Sequence, residues 1–525
     1  MIIINSGAYV IPELQAEYGK IPPCMLPLGN KRLLEHQIVA IRETLDDINI
    51  VVSLPESYEL SLGDNLLIET AGVKVVRVPD GFTLAESVLY VLNTQDDYQI
   101  EHVVRLMHGD TFIKGIPADA DVIGVSTTSD DYGWEYEASD ADDKLIWCGF
   151  FSFSSPRLLT QSLSLARGNF VEAIRRYGQK TPLQGKLVGA WNDLGHVNTY
   201  FKSRASITTQ RAFNSLVIAD GLVTKKGQPN RKIQAEARWF KALPPALKRY
   251  TPQLIDYTFD DQGGTFYCLE YLSLSPLNEV FVHGRNPAFF WKKVFDIFQD
   301  LFARMRHALP ADLDRQALAN DAEALYGAKT RRRLEETAAQ GLIDPQAPFT
   351  YAGKPMPSLA ELAETCIDKV SGLPIIDSVL HGDVCFSNVL YDSRNETIKI
   401  LDPRGMTEAG DFSIFGDQKY DLAKLAHSVI GLYDLIIAGR YELLEDASGS
   451  VTLDFHIDAR LQQIQRSFMG TQFAASVSVK QIMPCVVLLF ISMIPLHADR
   501  PDRQLAMRAN AYRIFLSYCH EEISA

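Results

Sequence analysis

Within Ser378–Asp402 (SVLHGDVCFSNVLYDSRNETIKILD), His381, Asp383 and Asn388 stand at short intervals and Asp402 closes the stretch. Moving a γ-phosphoryl group calls for a carboxylate to orient the attacking hydroxyl. It also calls for an amide oxygen and a second carboxylate to hold magnesium on the phosphates. Asp383, Asn388 and Asp402 offer those groups in that order. The apolar runs Ser378–Leu380, Asn388–Tyr391 and Ile398–Leu401 read as short strands that would fix them around a turn. A polar hairpin whose Asp and Asn serve turn geometry alone is the competing explanation. Three positions matching in order favour the catalytic one.

The spacing His381-x-Asp383-x-x-x-x-Asn388 is that of the kinase catalytic loop. The stretch resembles the aminoglycoside phosphotransferase and choline kinase branch, which shares the protein-kinase fold. That resemblance implies Asp383 as the catalytic carboxylate and Asn388 as a magnesium ligand. It sets Asp402, in LDPRG, where protein kinases have the Asp of DFG. Gly416-Asp417-Gln-Lys-Tyr-Asp421-Leu-Ala resembles the GDpxxDLA segment of the same family, so Asp417 and Asp421 are expected to brace the loop.

Upstream elements must supply the nucleotide contacts. Ser215–Asp220 and Leu222–Lys226 read as a hairpin around Gly221. Lys225 or Lys226 stands like the strand lysine that holds the α/β-phosphates in kinases; side chains alternate along a strand, so one faces inward, and Lys225 is favoured. Asn230 is a suitable N-cap for a helix carrying Ile233, Ala237 and Phe240 on one stripe. Glu236 falls on it where the family's helix Glu pairs with the strand Lys. A solvated surface Glu is the alternative. Phe266–Leu272 corresponds to the kinase hinge, where Glu270 and Leu272 would meet adenine through backbone groups. Pro287, at a first helical turn, opens a long aromatic helix through Phe290, Val294, Ile297 and Leu301, read as core. Ala311–Ser358 reads as a polar helical excursion over the surface. His427, His456 and His497 have no ligand spacing and read as ordinary.

The first two hundred residues follow another pattern. Met1–Asn5, Ile50–Leu54, Val73–Val78 and Glu101–Leu106 are short apolar runs, with helical patterns at Leu33–Thr44 and Leu84–Leu92. Strands alternating with helices imply a mostly parallel sheet, whose sites lie at the carboxyl ends of strands. Asp110 follows one such run, and Asp193 stands in Trp191-Asn-Asp193-Leu-Gly195. Together two such acids can hold magnesium against a triphosphate, whereas either alone is commonly a turn residue or cap.

This region resembles sugar-nucleotide nucleotidyltransferases of GT-A-like fold. The likeness rests on Pro22–Glu35 (PPCMLPLGNKRLLE), on Gly81–Ala85, on His108-Gly-Asp110 and on Trp191-Asn-Asp193-Leu-Gly195. Cys148–Phe153 is similar to a family strand more loosely. The resemblance implies that Asp110 and Asp193 bind magnesium. The family's phosphate-wrapping G-x-G-T-R-L loop is shortened here to Ser6-Gly7-Ala8-Tyr9, without the Arg, so Gly7 is the loop's remaining nucleotide contact. The family's signature Lys aligns with Pro23, and Lys20 or Lys31 is a candidate substitute. A domain keeping its acids while losing phosphate contacts fits either active transfer or a degenerate binding module.

Length and composition bound these readings. At 525 residues the chain exceeds one core. A net charge of −14 argues against nucleic-acid or anionic-membrane surfaces. The Lys329–Arg333 run, followed by Glu335 and Glu336, reads as a solvated helix face. Seven scattered cysteines suit reduced thiols, and MIIINSG carries no signal-peptide pattern. Ile482–Leu496, interrupted by Pro484 and Pro495, reads as a buried helix and not a membrane span, and the whole as cytoplasmic.

The expected architecture is an α/β domain with a mostly parallel Rossmann-like sheet over residues 1–205. A kinase-like α+β part follows, with a β-rich lobe over 206–275 and a helical lobe over 276–525. The expected function is bifunctional. A small alcohol, amino-alcohol or sugar is phosphorylated with ATP and magnesium, and its phosphate is then activated with a second NTP, CTP being one candidate. Such donors feed surface polysaccharides. A kinase carrying a degenerate first domain is the alternative. Homo-oligomerisation is left open.

Overall fold

The computed structural model describes residues 1–45, 48–94, 103–136, 145–208, 215–227, 230–259 and 265–519. The first two residues of the expected run Glu101–Leu106 and the end of the polar joint at 200–214 lie outside them. The chain forms two compact units, Met1–Gln210 with His283–Arg285, and Arg211–Val282 with Asn286–Ala525.

In the first unit several β-branched runs enter a seven-stranded sheet in the order Gln184–Leu187, Val122–Ser126, Ile146–Phe153, Val104–His108, Ile2–Asn5, Ile50–Pro55, Lys74–Val78. Ile2–Asn5 lies parallel to both its neighbours, and Ile146–Phe153 runs antiparallel to both of its own. The parallel strands are joined through helices Leu33–Thr44 and Leu84–Thr94, as the alternation requires. Ile3, Val51, Val91, Leu106, Phe151 and Phe153 fill one core, each at most 2 % exposed. A short antiparallel pair, Thr111–Lys114 with Ala190–Asp193, sits beyond the sheet.

The second unit is α+β. Its small lobe is a four-stranded antiparallel sheet, ordered Ser215–Ala219, Leu222–Lys226, Phe266–Glu270, Leu254–Thr258, and the helix Asn230–Ala242. Its large lobe is helical, built on Ala288–His307, Leu359–Ser371, Gln418–Val429, Met483–Met493 and Pro501–Ile514. The hairpin Val389–Asp392 with Thr397–Ile400 follows the Asp383 loop. Lys480–His497 is long and apolar enough to cross a membrane by composition, but 72 % of it is buried inside the protein. A core helix explains that burial.

Some boundaries differ from expectation. Asn230 is already inside its helix, and Pro287 is the cap residue before Ala288, where its missing N–H costs nothing. The Phe266 strand ends at Glu270. Ala311–Ser358 is more than a surface excursion, because its helices Arg315–Glu323 and Lys329–Gln340 bury Leu318, Ala322 and Leu334. Their apolar positions recur at helical spacing among the charges, a pattern that high local polarity hides.

Candidate active sites

Strand register fixes the first group in the second unit. Lys225 faces Tyr267 across the sheet and is 5 % exposed, while Lys226 is exposed over the Phe266 ring at 5.6 Å. Lys225 Nζ donates to Glu236 Oε2 at 2.8 Å and to Asp402 Oδ1 at 3.0 Å, and the Tyr267 hydroxyl donates to the same Glu236 oxygen at 2.7 Å. Burial would lower the Lys225 pKa, but Asp402 and Glu236 outweigh it and hold the ammonium above its usual range. Asp402 adopts φ +54°, a left-handed conformation that Asp tolerates better than most residues, and its side chain stays half exposed.

The Asp383 loop is built by buried neighbours. Asp421, fully buried, accepts the His381 and Gly382 N–H groups at 2.8 and 2.7 Å, and its burial pushes its pKa up to about 7. Gly382 sits at φ +80°, where any Cβ would meet Arg404 Cβ at 2.6 Å, so the turn admits only glycine. His381 is buried edge-on to Trp239 at 5.4 Å; burial lowers its pKa to about 4, and its Nδ1 accepts the Asp383 N–H at 3.2 Å. Asp417 receives Lys419 Nζ at 2.6 Å and Tyr326 at 3.2 Å, deep in the core.

Asp383 presents its two oxygens to different partners. Oδ2 accepts from Asn388 Nδ2 at 3.1 Å, and Oδ1 lies 2.8 Å from Lys424 Nζ. Burial raises the Asp383 pKa, yet Lys424 and the neighbouring cations bring it down to about 2. With 42 % of the side chain still open, the carboxylate keeps an edge that an acceptor hydroxyl can approach. Sequence reasoning passed over Lys424, although it stands three residues after Asp421 on one helix and therefore on the same face.

The hinge candidates lie at and just past the end of the inner strand Phe266–Glu270. Glu270 Oε1 accepts the Gln253 N–H at 2.9 Å, and the Leu272 carbonyl accepts the Leu274 N–H at 2.9 Å.

In the first unit the structure brings Asp110 and Asp193 together. Asp193 pairs with Thr111 in register, and the Asp110 carbonyl accepts the Leu194 N–H at 2.9 Å. A Cβ on Gly195 would lie 2.5 Å from Asp110 Oδ2. Burial, then the charge of Asp193, pushes the Asp110 pKa up to about 6, against the smaller opposing effect of His196. Asp193 is already engaged, by the Gly195 N–H at 3.2 Å, His196 Nδ1 at 2.8 Å and the Thr199 hydroxyl. Tyr132 stacks on His196 at 4.0 Å, and Trp134 packs edge-on to His196 and Trp191, an aromatic group beside the acids to which the sequence motif contributes Trp191 while Tyr132 and Trp134 come from a distant segment.

Gly7 is buried, with no room for a Cβ against Ser87 and Val78, and Ser6 next to it is tied to Ser53 and Cys24. Lys31 is exposed on the hairpin Pro27–Leu28/Lys31–Arg32 and takes no part in the hydrogen bonds around Asp110 and Asp193 among the described residues. Lys20 is exposed with its Nζ 4.1 Å from the Tyr9 ring centroid. No cluster of three or more His, Cys, Asp or Glu is placed to hold a metal among the described residues.

A scan of the sequence against family models finds no match, and neither does a search of curated proteins. Solved structures to which the chain is similar include enzymes of both kinds. The nucleoside-diphosphate-sugar pyrophosphorylase of Vibrio cholerae RC9 is 14% identical, over 39% of this chain and 100% of its own, with a TM-score of 0.31. An aminoglycoside phosphotransferase, a thermostable mutant in its apo form, is 12% identical over 58% of this chain and 90% of its own, with a TM-score of 0.37. The choline kinase of Streptococcus pneumoniae is 12% identical over 61% of this chain and 99% of its own, with a TM-score of 0.34.

Proposed function

We propose that the chain is a bifunctional transferase. Its second unit phosphorylates a small hydroxylated metabolite with ATP, and its first unit joins the resulting phosphate to a nucleotide, giving an activated donor for surface polysaccharide. The observation that carries this reading is the placement of Lys225 between Glu236 and Asp402, with Asp383 and Asn388 hydrogen-bonded nearby in the same unit. A lysine so held is positioned for nucleotide phosphates, and Asp383 for an acceptor hydroxyl.

The donor sets fit magnesium. Asn388 turns its amide nitrogen to Asp383, so its oxygen and the Asp402 carboxylate would hold the ion in the second unit. Asp110 and Asp193 would hold it in the first. Two protein oxygens are what magnesium commonly takes when phosphates and water complete its shell. Bound there, the ion neutralises charge on the phosphates. Asp383 accepts the hydroxyl proton while the acceptor oxygen attacks. The cytoplasm is the proposed compartment, since all seven cysteines are buried free thiols.

One observation favours a second reading, a kinase whose first unit only binds or assembles. The Asp193 carboxylate is occupied by three protein donors, with which a metal must compete. The readings separate in one assay that follows ADP and pyrophosphate release across alcohols, amino-alcohols and sugars with ATP and CTP. ADP without pyrophosphate supports the kinase alone. Neither product from any acceptor overturns both.

A further inference from the structure

The Lys329–Arg333 run divides in the folded chain. Arg331 pairs with Glu364, Arg332 with Glu408 and Arg333 with Glu336, as a solvated face would. Lys329 instead donates to the Tyr420 hydroxyl at 2.9 Å and lies 5.3 Å from that ring's centroid. Lys424, which holds Asp383 Oδ1, is 6.0 Å from the same ring. Arg404 reaches Glu408 at 2.7 Å with Nη2, while its Nη1 is buried without a hydrogen-bond partner. Burial would raise the Tyr420 hydroxyl's pKa, yet Lys329, Lys424 and Arg404 together lower it.

The neighbouring carboxylates are already engaged. Glu408 is shared by Arg332 and Arg404, Asp421 accepts two backbone N–H groups, and Asp321 accepts the Glu408 N–H at 2.7 Å. Lys329 has no carboxylate within ion-pair distance among the described residues. Lys424 and Arg404 have their carboxylates, but Lys329 is a partly buried cation with none in ion-pair contact and Arg404 Nη1 is a buried donor without an acceptor; both are costly, so together they point to an anion that is supplied from outside. It is set off from the nucleotide side, since Lys225 and Asp402 form one group and Asn388 holds the other oxygen of Asp383.

We propose that the acceptor of the second unit carries an oxyanion, a carboxylate or a phosphate ester, which Lys329 and Arg404 bind while its hydroxyl lies at Asp383. The proposal rests on the kinase reading above. In the transfer the acceptor O–H gives its proton to Asp383, its oxygen bonds to the γ-phosphorus of ATP, and the bond from that phosphorus to the bridging oxygen breaks, releasing ADP. Cationic acceptors such as amino-alcohols would meet repulsion at this cluster.

The test is calorimetric titration of the full chain, with its nucleotide site filled by a non-hydrolysable ATP analogue and magnesium. Malonate, inorganic phosphate and ethanolamine serve as probes. Malonate or phosphate is expected to bind the wild type, and whichever binds names the oxyanion. Lys329→Met is expected to weaken that binding about tenfold, a 1.4 kcal/mol change, while Lys329→Arg retains it. Analogue affinity and thermal midpoint stay unchanged in both variants, which separates lost charge from lost fold. Anion binding unaffected by Lys329→Met, binding of ethanolamine alone, or no probe bound would overturn the proposal. Failure of the analogue itself to bind the wild type would instead overturn the kinase reading.

Discussion

Lys424 Nζ lies 2.8 Å from Asp383 Oδ1, and its helix also carries Asp421, which holds the backbone of the same loop. One helix therefore sets both the position and the charge of the proposed catalytic carboxylate. Lys424 keeps the Asp383 pKa at about 2, against the opposing effect of burial. A depressed carboxylate is ionised, and adds stability, above its unfolded value; that contribution is lost as pH falls through the folded one. The wild-type acid limb of kcat/KM therefore owes nothing to Asp383 above about pH 4. Lys424→Met leaves burial unopposed and moves an Asp383 acid limb upward into the assayed range, whereas Lys424→Arg does not. A pH–rate profile unchanged by Lys424→Met would count against this coupling.

Lys225, buried, is the shared partner of Glu236 and Asp402. Lys225→Met strands the buried Glu236 charge, and breaking such a pair costs about 3–5 kcal/mol. Adding Glu236→Gln removes the stranded charge, so the double variant should be more stable than the sum of the single losses. Denaturant midpoints read the coupling directly. Strict additivity would mean that the pair is not coupled.

Asp421→Ala removes an acceptor from two buried N–H groups, a loss of about 2–5 kcal/mol with the loop's activity. The Asp421 pKa is raised to about 7 by burial, so its contribution is fully present below the unfolded value and falls as pH rises through 7. Asp421→Asn should flatten the stability decline between about pH 4 and 7. An unaltered pH slope of the melting temperature would contradict that assignment.

Gly195→Ala would drive a methyl group onto Asp110 Oδ2. Pyrophosphate formation is expected to fall at least about tenfold, the effect of a displaced ligand, while ADP formation stays at its wild-type rate. Equal loss of both activities would show that the substitution unfolds more than the acid pair.

Local chemistry was legible in the sequence because it is local. The strands around Asp383, the hairpin of Leu222–Lys226 and most alternating elements of the first unit stand within a residue or two of their expected places, while the run expected over Glu101–Leu106 forms its strand at Val104–His108. Strand alternation required one of Lys225 and Lys226 to face inward and favoured Lys225; the fold buries Lys225 against Glu236 and leaves Lys226 exposed. Lys424 and Lys329 were missed because their partners lie tens of residues away, at Asp383 and Tyr420. The run around Lys329 looked solvated because Glu335 and Glu336 follow it closely, and its three arginines do pair with carboxylates, leaving Lys329 as the exception. The Asp110–Asp193 pairing depends on the antiparallel register of two short strands, which no local pattern encodes.

The central claim is that one chain holds two separate nucleotide sites. Its most direct measurement is a thermal-shift panel of ATP, CTP, GTP and UTP with magnesium, on wild type, Asp402→Ala and Asp110→Ala. A ligand that binds the native state raises its apparent stability by mass action, so each site reports separately. Two working sites give ATP stabilisation that disappears in Asp402→Ala, and stabilisation by another nucleotide that disappears in Asp110→Ala. Stabilisation by ATP alone, lost only in Asp402→Ala, would contradict the bifunctional enzyme and leave a kinase.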